Sequence, residues 1–218
     1  MVLSTTSESC AGIDALGFSR QDRMFVVCQH RDVSLYEHTR TTRLALDHPV
    51  AGDLTALHDL YSDPRVWSHA PHARHTSVGA TRSMLTKWLS EWEAASLGQW
   101  IVRRAHESQL IGNAGCALRG GGTWWNLAYR LDPAAHGQGY AAEAAAAAMT
   151  AAHELRSDLP VVASLLEHNE ASRRLATRLG LDLAYRGPDP KTQDNGGVRL
   201  LYADRPLTTA AIEAVLHP

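Results

Sequence analysis

Three groups of residues have the types and spacing to do chemistry. The densest is Asp132-Pro133-Ala134-Ala135-His136-Gly137-Gln138-Gly139-Tyr140-Ala141-Ala142-Glu143-Ala144. A strand stops at Asp132-Pro133, two glycines turn the chain tightly, and a helix-forming run follows. The first free N–H groups of such a helix converge on one spot, and the helix dipole makes that spot attractive to an anion. Ala141 and Ala142 are small enough to keep the approach open. The same Gly-x-Gly also serves as a plain strand-to-helix turn, and short glycine motifs often match by chance. It lacks the Gly-Lys-Ser/Thr of a P-loop and the third glycine of a dinucleotide fingerprint. Glu143, the nearest carboxylate, suits a packing or helix-terminus role.

The second group is His168-Asn169-Glu170-Ala171-Ser172-Arg173-Arg174-Leu175-Ala176-Thr177-Arg178-Leu179-Gly180. Asn169 and Ser172 fall at the N-cap and third positions of a helix. The Ser172 hydroxyl could give or take a proton, and the His168 imidazole titrates in the right range for a base. His168 reads equally as a loop histidine beside a helix start. The third group is His69, His72 and His75, spaced i, i+3 and i+6. On a helix they could ligate zinc, but Pro71 interrupts any helix there and no Cys or carboxylate completes the set. We read a polar loop and no metal. Trp67, Trp124 and Trp125 read as core or cleft-wall residues.

The elements that must position these groups follow from hydrophobic period and punctuation. Thr42 to Leu46 alternates like a half-buried strand, and Asp53 to Tyr61 has helical spacing stopped by Asp63-Pro64. Thr76 or Ser77 caps a longer helix whose apolar stripe is Thr81, Leu85, Trp88, Leu89 and Trp92. Gln99–Ala105, Gln109–Leu118 and Thr123–Leu131 are three strands with short connections, an antiparallel meander. A helix runs from near Gly139 to Leu155. An apolar strand covers Leu159–Leu166, and a helix over Asn169–Leu179 is closed by Gly180. Two strands, Leu181–Arg186 and Val198–Ala203, flank a polar loop, and a short helix begins after Thr208. Met24 to Val27 reads as a short strand or an alternative start. The expectation is α/β: a single mixed, mostly antiparallel central sheet flanked by helices, in two layers.

Composition narrows the function. The 218 residues are 44% hydrophobic and 20% charged, enough for a sizeable core, with a formal net charge of −2. A binder of nucleic-acid phosphates needs a basic excess that this chain lacks. No run approaches 18 apolar residues, so no membrane span is expected. The N-terminus lacks the basic start and apolar run of a signal peptide. Cys10, Cys28 and Cys116 are far apart and form no disulfide framework or CxxC pair. A cytoplasmic setting is the expectation. Basic residues are 19 arginines against 2 lysines, and 33 residues are alanine.

In this order and spacing, the glycine turn and the Asn169–Ser172 helix resemble the GNAT superfamily of acyl-CoA-dependent N-acyltransferases, and within it the RimJ/RimL-type branch. Trp100-Ile101-Val102-Arg103 with Leu110-Ile111-Gly112-Asn113-Ala114-Gly115, and Leu127-Ala128-Tyr129-Arg130-Leu131, look like the branch's strands. The likeness spans about 42 to 204. It implies acetyl-CoA as co-substrate, its pyrophosphate over His136, Gly137, Gln138, Gly139, Tyr140, Ala141 and Ala142. The pantetheine arm would lie along a splayed strand carrying Tyr129 and Leu131, held by Asn169, with Ser172 facing the sulfur. Ser172 and His168 are the candidate catalytic residues. The resemblance also exposes departures. Ala134 stands where Arg or Gln is frequent, Ala176 where many relatives carry a tyrosine acid, and the third meander strand holds no carboxylate.

The reaction implied is direct transfer of acetyl to a primary amine, of a protein N-terminus or a small molecule. An aminoglycoside- or polyamine-type acetyltransferase, and a non-catalytic CoA-binding regulatory module, stay open. Expected partners are acetyl-CoA and the amine, neither nucleic acid nor membrane, with homodimerisation left open. Residues 1–41 read as an N-terminal extension, partly disordered, 42–204 as the acetyltransferase domain and 205–218 as a tail with a short helix.

Overall fold

The computed structural model describes residues 35–190 and 197–217. The strand expected at 24–27, Cys10, Cys28 and most of the polar loop after Pro190 lie outside them.

The expected alternation is realised as one eight-stranded sheet. Its strands are β1 (His38–Arg40), β2 (Leu44–Asp47), β3 (Gln99–Arg104), β4 (Leu110–Arg119), β5 (Trp124–Leu131), β6 (Val161–Leu166), β7 (Asp182–Pro188) and β8 (Val198–Ala203), in the order β1-β2-β3-β4-β5-β6-β8-β7. Every neighbouring pair is antiparallel except β5 and β6. The parallel pair needs a crossover, and the alanine-rich helix α3 (Tyr140–Leu155) supplies it. β1 is an unforeseen edge strand of three mostly exposed residues.

The remaining helices are α1 (Leu54–Ser62), α2 (Val78–Ala95), α4 (Glu170–Arg178) and α5 (Thr209–Leu216). Side-chain caps set three of their starts. Ser77, Asn169 and Thr208 accept hydrogen bonds from the backbone N–H groups of Ala80, Ser172 and Ala211. The stripe on α2 is core as read, with Thr81, Leu85, Trp88 and Trp92 all buried.

Helices cover both faces of the sheet, so the two-layer expectation gives way to three layers. On one face Leu46, Val102, Ala114, Cys116, Leu127 and Trp125 pack against α3 and the buried Ala176 of α4. On the other, Ile101 packs with Leu57, Trp67 and Trp88 beneath α1 and α2, and α5 covers Trp124 and Val162. Both faces are apolar because strand residues alternate between them. α3 buries Ala144, Ala145, Ala148, Ala151 and Ala152. With methyl groups at every fully buried position and Tyr140, Met149 and Leu155 packing around them, helix and sheet approach closely, and alanine's helix propensity supports the rest of the element. No helix among the described residues is long and apolar enough to cross a membrane.

Candidate active site

The site is built where β5 and β6 part. Their ladder is limited to Trp125–Val161 and Asn126–Val162, yet β5 runs on to Leu131 and β6 to Leu166. On its other edge β5 stays paired to β4 along its whole length. The N–H of Trp125 donates across to the Pro160 carbonyl at 2.9 Å. By the two-residue alternation of a strand, the backbone groups of Leu127, Tyr129 and Leu131 therefore also face β6, where the ladder no longer meets them. This leaves a strand edge open to an extended partner.

The cleft continuing from this gap measures about 680 Å³. Its wall includes the turn at the end of β5. There Asp132 accepts from the Ala134 N–H at 2.8 Å, and the His136 Nε2–H donates to the Leu131 carbonyl at 3.0 Å, since a carbonyl can only accept. Gly137 and Gly139 have φ of 75° and 80°, a region that costs other residues about 1–2 kcal/mol. Gly139 is the N-cap of α3 and offers no capping side chain. The free N–H groups of the first turn of α3 are thus left for a ligand.

Arg43, leading into β2, braces the turn from outside. Its Nη1 donates to the Gln138 carbonyl at 2.8 Å and its Nε to Glu143 at 2.7 Å, and its guanidinium stacks on the Tyr140 ring. Glu143 also accepts from Thr41 Oγ1 at 2.6 Å and the Arg43 N–H at 2.8 Å. Burial alone would raise the Glu143 carboxyl, but these hydrogen bonds from Thr41 and Arg43 outweigh it and hold it below the usual glutamate range. Glu143 is therefore a brace for the turn.

Facing the turn is the start of α4. His168, Asn169 and Ser172 line the cleft together with Tyr129, Leu131, His136, Gly137, Gly139, Tyr140, Ala141 and Ala142. Gln138 does not. Its side chain folds back to donate to the Ala134 carbonyl at 3.1 Å. Asn169 spends its Oδ1 on capping Ser172 N–H at 3.1 Å, which leaves its amide N–H groups to donate. The Tyr129 hydroxyl donates to the Ser172 carbonyl at 3.3 Å, tying the strand to α4. Burial raises the Tyr129 phenol, with the Ser172 contact opposing, so it stays protonated at neutral pH. Ala176 is fully buried in the core beneath α3 and α4. The His168 Nε2–H donates to the His69 carbonyl at 2.7 Å, which fixes the tautomer and leaves Nδ1 as an acceptor.

The far wall comes from the loop after α1. The three histidines of that loop separate. His69 stacks on Trp67 and lines the cleft. His75 turns inward against Tyr61 and bonds Thr81 Oγ1 at 2.9 Å, and His72 is exposed. Among the described residues no group of three or more His, Cys, Asp or Glu is arranged to hold a metal.

Arg130, which the sequence reading quoted only as part of a strand, also lines this wall. Its guanidinium lies 3.6 Å from the Trp67 ring centroid and 5.5 Å from that of Tyr61. Behind it runs a buried polar chain. The Tyr61 hydroxyl donates to Asn113 Oδ1 at 3.1 Å, Asn113 Nδ2 to Gln99 Oε1 at 2.8 Å, and Gln99 Nε2 to the Gly115 carbonyl at 3.0 Å. A signal for Arg130 was available: it is the one charged residue in Trp124–Leu131.

Residues 43–182 match the family model described as the acetyltransferase (GNAT) domain. The chain belongs to the GNAT acetyltransferase family. Its fold is therefore that of an acyl-CoA-dependent N-acyltransferase. No curated protein matches the chain by sequence. Among solved structures, a GnaT-family acetyltransferase from Bordetella pertussis is similar with a TM-score of 0.66 and 23% identity, over 77% of this chain and 99% of that one. An acetyltransferase from Agrobacterium tumefaciens has a TM-score of 0.61 and 25% identity, over 76% and 93%. RimL, a ribosomal L7/L12 alpha-N-protein acetyltransferase solved in complex with coenzyme A, has a TM-score of 0.62 and 20% identity, over 75% and 94%.

Proposed function

We propose that this GNAT acetyltransferase moves the acetyl group of acetyl-CoA directly onto a primary amine, of a protein N-terminus or a small molecule. The observation that carries the reading is the unpaired edge of β5 running into the left-handed glycine turn at the start of α3. A pantetheine arm has donors and acceptors to pair with along that edge, and a pyrophosphate has the N–H groups of the helix start.

In this reading the amine nitrogen attacks the thioester carbonyl from the side of the loop after α1. A backbone N–H facing the gap, from Leu127 or Tyr129, meets the oxyanion as it forms. The C–S bond then breaks, and the thiolate takes the proton of Ser172 Oγ, which regains one from solvent. The amine proton leaves to His168 Nδ1. Tyr129 and Leu131 supply edge contacts, and Asn169 offers its amide N–H groups to the arm. The catalytic domain so defined runs over about 42–204.

A CoA-binding module without turnover is the competing reading, favoured by Ala176 and by the absence of a carboxylate on β5. Two measurements decide. Calorimetry with acetyl-CoA should lose its binding signal in Gly137→Trp, which puts an indole at a cleft-lining position with nothing within 4 Å of the added Cβ. Unchanged affinity would make the turn purely structural. Free CoA followed with a thiol reagent across a panel of amines should rise above the hydrolysis background for at least one acceptor, and background rates throughout would favour the silent module.

A further inference from the structure

We infer that the amine acceptor carries a carboxylate, and that Arg130 is the residue that receives it. The inference rests on the acetyl-transfer reading above and adds the class of substrate.

Arg130 is anomalous among the arginines of this chain. The other arginines that are largely covered each hold a carboxylate: Arg103 holds Asp47 and Asp53, Arg119 holds Glu91, and Arg199 holds Asp189. Arg130 has no carboxylate partner among the described residues. Among the described residues its hydrogen bonds are neutral ones, from Nη1 to the Val66 carbonyl, a long one at 3.3 Å, and to the Tyr61 hydroxyl. A guanidinium has five N–H donors in a planar fork, so most of its donors are unspent. One face of the fork is covered by Trp67 at 3.6 Å, which leaves its edge for recognition. Withholding a charge from water without a partner is unfavourable, and a ligand carboxylate would relieve this with bidentate geometry.

The location suits the acceptor rather than acetyl-CoA. Arg130 sits on the sheet face covered by α1 and α2, in register with the buried Asn113 of β4. The glycine turn caps α3, on the opposite face. The neighbouring groups on this wall do not neutralise Arg130. Arg65 is held by Asp63 at 2.6 Å. Burial pushes His69 below its ordinary value, helped by Arg130 and His168, so its imidazole is neutral at pH 7. Glu170, the one acidic residue among the described residues of the cleft wall, bonds Arg174 at 3.0 Å. A polycationic amine would meet Arg130 with no carboxylate to offset it. The polar chain from Tyr61 through Asn113 and Gln99 holds the floor under the guanidinium, and Trp67 fixes its plane.

The test is CoA release from acetyl-CoA with acceptors matched except for the carboxylate. Suitable pairs are phenylalanine with phenylalaninamide and an aspartyl with an asparaginyl dipeptide amide, with spermidine as the polycation. The carboxamide of an amino acid is the less protonated amine at neutral pH, so intrinsic reactivity favours it, and a preference for the acid must come from the protein. The wild-type chain should favour the acid member of at least one pair by tenfold or more in kcat/KM. In Arg130→Gln that ratio should fall towards one, and in Arg130→Lys, which keeps charge but loses the fork, to an intermediate value. Thermal melting and acetyl-CoA titration of each variant separate lost recognition from misfolding. If the glutamine variant melts early, the lysine variant carries the comparison. Equal or better use of the amides, preference for spermidine, or a ratio that survives Arg130→Gln overturns the inference while leaving acetyl transfer intact. Binding of acetyl-CoA without CoA release to any amine overturns the transferase reading, and this inference with it.

Discussion

Replacing Gly139 by alanine tests the turn at the point where three demands meet. The residue is the N-cap of α3 with φ 80° and ψ 1°, so a side chain costs about 1–2 kcal/mol in backbone strain. An added Cβ would also lie 3.3 Å from Arg43 Nη2. That atom ends a flexible side chain, so the guanidinium shifts and loosens its bonds to the Gln138 carbonyl and Glu143. Arg43 is half-exposed, which limits this loss to below about 1 kcal/mol. The total is about 2 kcal/mol, and at about 2–4 °C per kcal/mol for a domain of this size the melting temperature should fall by about 4–8 °C. Gly137→Ala has the same kind of strain, with φ 75° and nothing within 4 Å of the new Cβ, so its fall should be the smaller of the two. Calorimetric titration should show acetyl-CoA affinity reduced about tenfold in Gly139→Ala, as the N–H groups of the helix start move, a change of about 1.4 kcal/mol. A melting point within 1 °C of wild type would refute the strain argument. A full drop in stability with unchanged affinity would refute the turn as an anion cradle.

Three further outcomes are expected. Ser172→Ala should lower kcat by about 10²-fold with little change in KM, as loss of a proton donor does, whereas a pure KM effect would make Ser172 a binding residue. His168→Gln should lower kcat/KM by about 10²-fold with acetyl-CoA affinity unchanged, and an unchanged kcat/KM would take His168 out of proton transfer. Glu143→Gln should destabilise the fold by about 1–2 kcal/mol at neutral pH. The Glu143 carboxyl is held below its ordinary 4.5, so its contribution is present above that value and is lost as pH falls through the depressed one. Melting curves of wild type and variant should therefore converge in acid, and a gap constant with pH would refute the assignment.

Much of this molecule was legible in the sequence because its signals are local. Ser77, Asn169 and Thr208 cap the helices they were placed before, and the three meander strands and both late strands lie where alternation put them. What was missed has physical causes. β1 is His-Thr-Arg at a sheet edge, with no buried face and hence no alternation to read. The third layer was hidden because α3 is nearly all alanine, nine of the twelve residues from Ala141 to Ala152. Such a run has no hydrophobic contrast from which to read a buried face. The histidine triplet could not be sorted by spacing, since the direction of each ring depends on Trp67, Tyr61 and Thr81. Arg130 escaped because its meaning lies in what it lacks. A charged residue in a strand is ordinary, and only packing reveals that no carboxylate comes to meet it.

The brace of Arg43 on Glu143 also bears on the kind of attraction the proposed CoA turn would exert. Two arginines stand over Tyr140, Arg43 and Arg104, and each is already engaged, with Glu143 at 2.7 Å and with Glu107 at 3.0 Å. In the proposed reading the turn therefore draws an anion through oriented backbone dipoles rather than through net charge. Dipoles act at contact range, inside the distance of about 8 Å over which physiological ions screen. In that reading binding is insulated from ionic strength at the turn, and sensitivity to salt in the cleft originates at the solvent-facing Arg178 of α4, since Arg174 is itself held by Glu170 at 3.0 Å.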